Sequence, residues 1–134
     1  LEGIENLTLL ETLNCGNNQL RDLKGIENLD LTYLNCSSNQ LRDLKGIENL
    51  TELKFLNCNN NQLTSLKGIE NLTSLKELHC YDNQLTDLIG IEKLTDLTYL
   101  DSSNNPLPYK SDNLEDILKE IKIEKRKNII KSLL

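Results

Sequence analysis

The chain has 134 residues and a net charge of −6, with 37% hydrophobic and only 4% aromatic residues. That length holds one domain, and so few aromatics exclude a compact core built on large rings. Residues 1–110 carry nine Lys/Arg against sixteen Asp/Glu, which excludes the concentrated basic face of a nucleic-acid binder, and no apolar run approaches the ~20 residues that cross a membrane.

The first residues, LEGIENL, match LKGIENL at 23–29, 44–50 and 66–72. The chain therefore opens part-way through a repeating unit, with no cap before it, although terminal units of stacked arrays usually carry one. The expectation is a fragment of a longer protein, or an open end that self-associates.

The unit is plainest in five segments: LNCGNNQL (13–20), LNCSSNQL (34–41), LNCNNNQL (56–63), LHCYDNQL (78–85) and LDSSNNPL (100–107). Their steps are 21, 22, 22 and 22 residues. A period in this range centred on L-x-C-x-x-N-x-L is the pattern of a leucine-rich repeat. Residues 50–71 stand for the rest. Phe55 to Asn59 read as a short strand, with Leu56 and Cys58 inward and Phe55, Asn57 and Asn59 outward. Stacked strands make a parallel sheet.

Asn61 follows, in register with Asn18, Asn39, Asn83 and Asn105. An amide offers both donors and an acceptor, so this column is read as a structural ladder that satisfies the backbone at the turn. Leu63, Leu66, Ile69 and Leu72 are spaced by three, which predicts short 3₁₀-like turns on the convex side. Gly68, with Gly25, Gly46 and Gly90 in register, suits a positive φ there. Leu29-Asp30-Leu31 is one residue shorter than Leu50–Leu53, a loss that falls in the ascending loop.

The segment NQLTSLKGIENLTELKFLNC and its copies resemble the 22-residue leucine-rich repeats of bacterial internalins and of regulatory subunits of some eukaryotic phosphatases. The resemblance covers residues 1 to about 107, and it implies partner binding with no shared substrate. The departure is Cys15, Cys36, Cys58 and Cys80 where such repeats usually carry Leu.

Those four cysteines form a line, about 14 Å from first to last at the inter-strand spacing, whereas zinc needs four sulfurs about 2.3 Å from one point. Neighbouring parallel Cβ vectors also sit too far apart for a disulfide. The column is read as small core filler, with no metal and no cofactor. Free thiols favour a reducing cytoplasm, with a secreted or surface location as the alternative. Asn6, Asn35, Asn49 and Asn71 head N-x-S/T sequons, which matter only in a eukaryotic secretory pathway.

Three outward columns line the concave face: Thr12, Tyr33, Phe55, Glu77, Tyr99; then Asn14, Asn35, Asn57, His79, Asp101; then Gly16, Ser37, Asn59, Tyr81, Ser103. Four of the five aromatics of the chain fall here, where folding does not demand them. Rings among amides resemble an interface hot spot, so Tyr33, Asn35, Phe55, Asn57, Glu77, His79, Tyr81, Tyr99 and Asp101 are the candidate partner contacts. The competing reading is that strand propensity alone places the rings. His79 is the single histidine, and a pair with Asp101 across strands is conceivable. Cys80 points to the opposite face, so no Cys–His dyad forms and no catalytic residue is assigned.

Pro106 and Pro108 end the ladder. Asp112-Asn113-Leu114-Glu115 offers a capping box, and Leu114, Ile117, Leu118 and Ile121 have helical spacing. The expectation is a helix from about 113 to 126, broken near Asn128, then a second short helix, covering the open end of the last repeat. Lys125-Arg126-Lys127 is diluted by Glu120 and Glu124 and reads as a solvated face.

The reading is an α/β solenoid: a right-handed leucine-rich repeat horseshoe over 1–108, with a parallel concave sheet, short convex turns and a helical cap over 109–134. Its function is non-catalytic protein–protein recognition, without nucleic acid or membrane insertion. The alternative is a bacterial-type surface or secreted module that binds a host receptor or glycan. A third reading makes it the targeting arm of an enzyme encoded upstream.

Overall fold

The computed structural model describes all 134 residues. Five strands form one parallel sheet in chain order: β1 (Thr12–Asn14), β2 (Tyr33–Asn35), β3 (Phe55–Asn57), β4 (Glu77–His79) and β5 (Tyr99–Asp101). The register is one-to-one, placing Thr12, Tyr33, Phe55, Glu77 and Tyr99 in one column and Asn14, Asn35, Asn57, His79 and Asp101 in the next. Residues alternate across a strand, so the middle leucines Leu34, Leu56 and Leu78 are fully buried while their neighbours face out.

The convex side carries 3₁₀ helices at Ile4–Asn6, Ile47–Asn49, Ile69–Asn71 and Ile91–Lys93. The three-residue leucine spacing matches the three residues per turn of this helix. Gly68 enters its helix at φ +99°, where a Cβ is strained, and its N–H donates to Glu70 Oε2 at 2.9 Å. Gly25, Gly46 and Gly90 repeat both features. The short second repeat has a plain turn in place of a 3₁₀ helix, yet Leu29 and Leu31 stay buried and β1 pairs with β2 in full register. The missing residue is absorbed in the ascending loop.

Each strand exits into a turn held by asparagine. Asn61 Nδ2 lies 3.1 Å from the carbonyls of Cys36, Cys58 and Asn59, and its Oδ1 accepts from Leu41 N at 3.0 Å. Asn39 and Asn83 repeat this set. Asn105 does too, towards Cys80, Ser102, Ser103 and Leu85. Asn18, on the first strand, makes only the bonds to Cys15 and Gly16 carbonyls. A second column escapes sequence reading. The residue before each ladder asparagine (Asn17, Ser38, Asn60, Asp82, Asn104) sits at φ between 52° and 57°. Asn and Asp tolerate this left-handed region better than other side chains.

One continuous core runs from Ile4 to Leu94 and is closed by Ile117 and Ile121 of α1 (Leu114–Leu133). This helix is unbroken, contrary to the expected break near Asn128. The segment between holds Lys and Arg, good helix formers, and neither Gly nor Pro. Its N-cap is Asn113, whose Oδ1 accepts from Glu115 N and Asp116 N. The cap is Asn113 rather than Asp112, and its N–H donates to Ser111 Oγ and not to the Asp116 side chain three residues on, so the expected capping box does not form. Only the first half of α1 covers the last repeat. The face bearing Leu114, Ile117, Leu118 and Ile121 continues with Lys125 and Asn128, so its apolar stripe ends there. Ile123, Ile129, Ile130, Leu133 and Leu134 are exposed. Lys125 Nζ anchors the helix to Glu92 Oε1, and the Tyr109 hydroxyl accepts from Leu88 N at 3.1 Å.

Candidate functional site

Strand alternation delivers Tyr33, Phe55, Glu77 and Tyr99 to one column of the concave face. The rings of Tyr33 and Phe55 stack at 4.5 Å with an interplanar angle of 2°. Glu77 would interrupt the series, but His79 from the adjoining column leans into the gap. Its ring lies 5.2 Å from Phe55 and 4.9 Å from Tyr99. Four rings thus form a continuous ladder across four strands. Such contacts add about 0.5–1.5 kcal/mol per pair beyond burial.

His79 does not pair with Asp101. The nearest carboxylate is Glu77 Oε2, 3.5 Å from Nε2, beyond good hydrogen-bond range. Nε2 is shielded from solvent and has no hydrogen-bond partner. Asp101 is occupied otherwise, its Oδ1 accepting from Ser103 N at 3.2 Å and Ser103 Oγ at 2.7 Å.

That bond belongs to a series. Asn14, Asn35 and Asn57 each accept through Oδ1 from the backbone N–H two residues on. The candidate contacts Asn35 and Asn57 therefore spend their oxygens on the strand exit, while their amide nitrogens make no hydrogen bond within the chain. His79 leaves this duty to a neighbour: Tyr81 N donates to Asn59 Oδ1 at 3.0 Å. Asn59 is consequently 3% exposed, which corrects its reading as an outward residue. Tyr81 keeps partial exposure at the edge of the face.

Surface depressions lie away from this face. One is lined by Asp43, Lys45, Glu48, Lys67, Glu70 and their neighbours on the convex side, with no hydrophobic residue among them.

A profile described as Leucine Rich repeats (2 copies) matches residues 30–71. No curated protein sequence matches the chain. Among solved structures, an internalin (inlF) of Listeria monocytogenes is 35% identical with a TM-score of 0.77, covering 87% of this chain and 35% of its own. Internalin C2 of the same species is 27% identical with a TM-score of 0.77, covering 81% of this chain and 49% of its own. The functional domain of InlJ, also from Listeria monocytogenes and described as including a cysteine ladder, is 36% identical with a TM-score of 0.70; it covers 76% of this chain and 22% of its own. The chain is a leucine-rich repeat protein similar to these internalins. It spans between about a fifth and a half of the length of these structures.

The internalin-like chain has its own column of sulfurs. Cys15, Cys36, Cys58 and Cys80 are all free and buried. Cys36 Sγ donates to Asn57 O and Cys58 Sγ to His79 O, each at 3.4 Å. Burial pushes all four thiols up, Cys80 to about 12, with the Asp101 carboxylate adding to the effect there. Neighbouring cysteines reinforce the rise at Cys36 and Cys58. At neutral pH these are thiols rather than thiolates, which makes them poor nucleophiles and poor metal ligands. The structure places no group of three or more His, Cys, Asp or Glu together in a way that could hold an ion. No helix is long and apolar enough to cross a membrane.

The sequence columns capture the rings and the register. They miss the lean of His79 and the burial of Asn59. One signal was available for the first: a lone acidic residue in an aromatic column, with an imidazole two positions on.

Proposed function

We propose that this internalin-like chain is a non-catalytic module that binds another protein across its concave face, with Tyr33, Phe55, His79, Tyr81 and Tyr99 as the principal contacts. The observation that carries the reading is the unbroken ring ladder on a solvent-facing surface. The core is complete without it, since none of its four rings belongs to the buried apolar cluster.

Ring orientation favours a protein over a sugar. Tyr33 and Phe55 are parallel at 4.5 Å, so their facing π-surfaces are occupied by each other and the edges remain for a partner. Sugar platforms use ring faces. Asn35 and Asn57 add amide donors beside the edges.

The test is affinity capture from the native source, with wild type compared against Tyr33→Ala/Phe55→Ala/Tyr99→Ala after circular dichroism has confirmed folding. Loss of a protein partner in the variant alone supports the reading. Identical captures with both proteins refute it. Retention on immobilised glycan that the variant loses would instead establish the surface-glycan alternative.

A further inference from the structure

We propose that the C-terminal end of the concave face is a subsite for a guanidinium group, in which an arginine of the bound protein stacks on the outer face of Tyr99 and pairs with the carboxylates of Glu77 and Asp101. The proposal rests on the reading of the concave face as the binding surface.

Charge makes the first argument. The three outward columns contain no Lys or Arg, and their only charged residues are Glu77 and Asp101. Lys54 and Lys76 stand one residue before their strands, outside those columns. Both carboxylates flank one residue: Glu77 is the register partner of Tyr99, and Asp101 follows Tyr99 by two on the same face of β5. Opposite and diagonal positions on a sheet face are within side-chain reach.

The second argument is availability. Glu77 is half-exposed and makes no hydrogen bond, only the 3.5 Å approach to His79. Asp101 commits Oδ1 to Ser103, while Oδ2 makes no hydrogen bond.

Ring geometry is the third. Phe55 is flanked on both sides by rings, and His79 likewise. Tyr99 has His79 on one side only. No strand follows β5 in the sheet, and Tyr99 is the ladder's most exposed ring at 48%. An open aromatic face next to two carboxylates selects a planar cation. Arginine meets both demands, by stacking and by forked donation, whereas the compact ammonium of lysine meets only the second. An anionic partner would meet two like charges and no cationic donor.

The experiment is an NMR titration of the full chain with a hexa-arginine peptide at physiological salt, with hexa-citrulline and hexa-glutamate as comparison probes. The expected result is that amide shifts concentrate at Glu77, His79, Tyr99 and Asp101. Glu77→Gln and Asp101→Asn should each weaken binding about fivefold, the scale of one exposed charge pair, and Tyr99→Leu by a similar factor. Glu48→Gln, on the convex side, serves as the control and should change nothing. Shifts confined to the convex glutamates, or wild-type affinity in Glu77→Gln, would overturn the subsite. So would hexa-glutamate binding equal to that of hexa-arginine. The broader reading fails separately: a natural partner that needs Tyr33 and Phe55 but ignores Glu77→Gln would sink the subsite and leave the binding face standing.

Discussion

Replacing Asn61 by alanine isolates what the asparagine ladder contributes. Four hydrogen bonds disappear, but the groups they leave behind are not equally stranded. The Cys36 carbonyl keeps Asn39 Nδ2 at 3.1 Å, the Cys58 carbonyl keeps Asn83 Nδ2 at 3.0 Å, and the Asn59 carbonyl keeps Ser38 N at 2.9 Å. Only Leu41 N–H, in a fully buried residue, loses its sole acceptor. A buried orphan donor costs about 1–3 kcal/mol, and the further lost bonds about 1 kcal/mol in sum, because their acceptors remain satisfied. The expected loss is about 3 kcal/mol, or roughly 10 °C in Tm for a chain of this size. Asn18→Ala is the internal control. Asn18 makes two local bonds and accepts none, so it should cost only about 1 kcal/mol. Urea titration read by circular dichroism, with the m-value checked for constancy, measures both. Equal losses at the two positions would refute the argument, since burial and the Leu41 orphan would then be irrelevant.

Other expectations follow from the turns and the thiols. Gly68→Ala should destabilise by about 1–2 kcal/mol through its positive φ alone, and Gly25→Ala by more, because a Cβ there would meet Ile4 Cγ2 at 2.9 Å; thermal melts of the pair give the order. Cys80 is held protonated in the fold to about pH 12 against an ordinary 9.0. Its contribution is therefore complete below pH 9 and drains away at about 1.4 kcal/mol per pH unit as pH rises from 9 towards 12. Cys80→Ala should flatten the alkaline fall in urea midpoint, and an unchanged slope would contradict the assignment.

Much of this architecture was legible because each repeat solves the same problem. Spacing alone located every strand, the 3₁₀ turns after Gly46, Gly68 and Gly90, and the inward cysteines, since burial and period admit few other arrangements. The asparagine column was legible for the same reason: an invariant amide at a turn has one economical use. Side-chain choices that depend on neighbours were not. His79 leans towards Phe55 and Tyr99 because Glu77 leaves a gap between them, and no pattern in β4 alone encodes that. Asn59 is buried and accepts from Tyr81 N, which lacks the local acceptor that an asparagine at 79 would have provided. The cap extends past what it covers: the expected second helix is the exposed end of α1, where Ile129, Ile130 and Leu133 are offset around the helix from Ile117 and Ile121.

The shared acceptors have a consequence for how such a chain can change length. The carbonyls of Cys15, Cys36, Cys58 and Cys80 each receive amide bonds from two successive ladder asparagines. A partner is thus addressed by its position in the period and never by its identity. Cutting out residues 50–71 and rejoining the ends would present each surviving asparagine with an equivalent socket, so the loss of a whole unit is a milder injury than the loss of one residue at a strand or its exit. Single-residue gaps are absorbed where the second repeat already carries one, in the ascending loop. The chain is in this sense elastic by whole units and brittle within them, which lets insertion and deletion lengthen or trim its concave face without redesigning what lies beneath it.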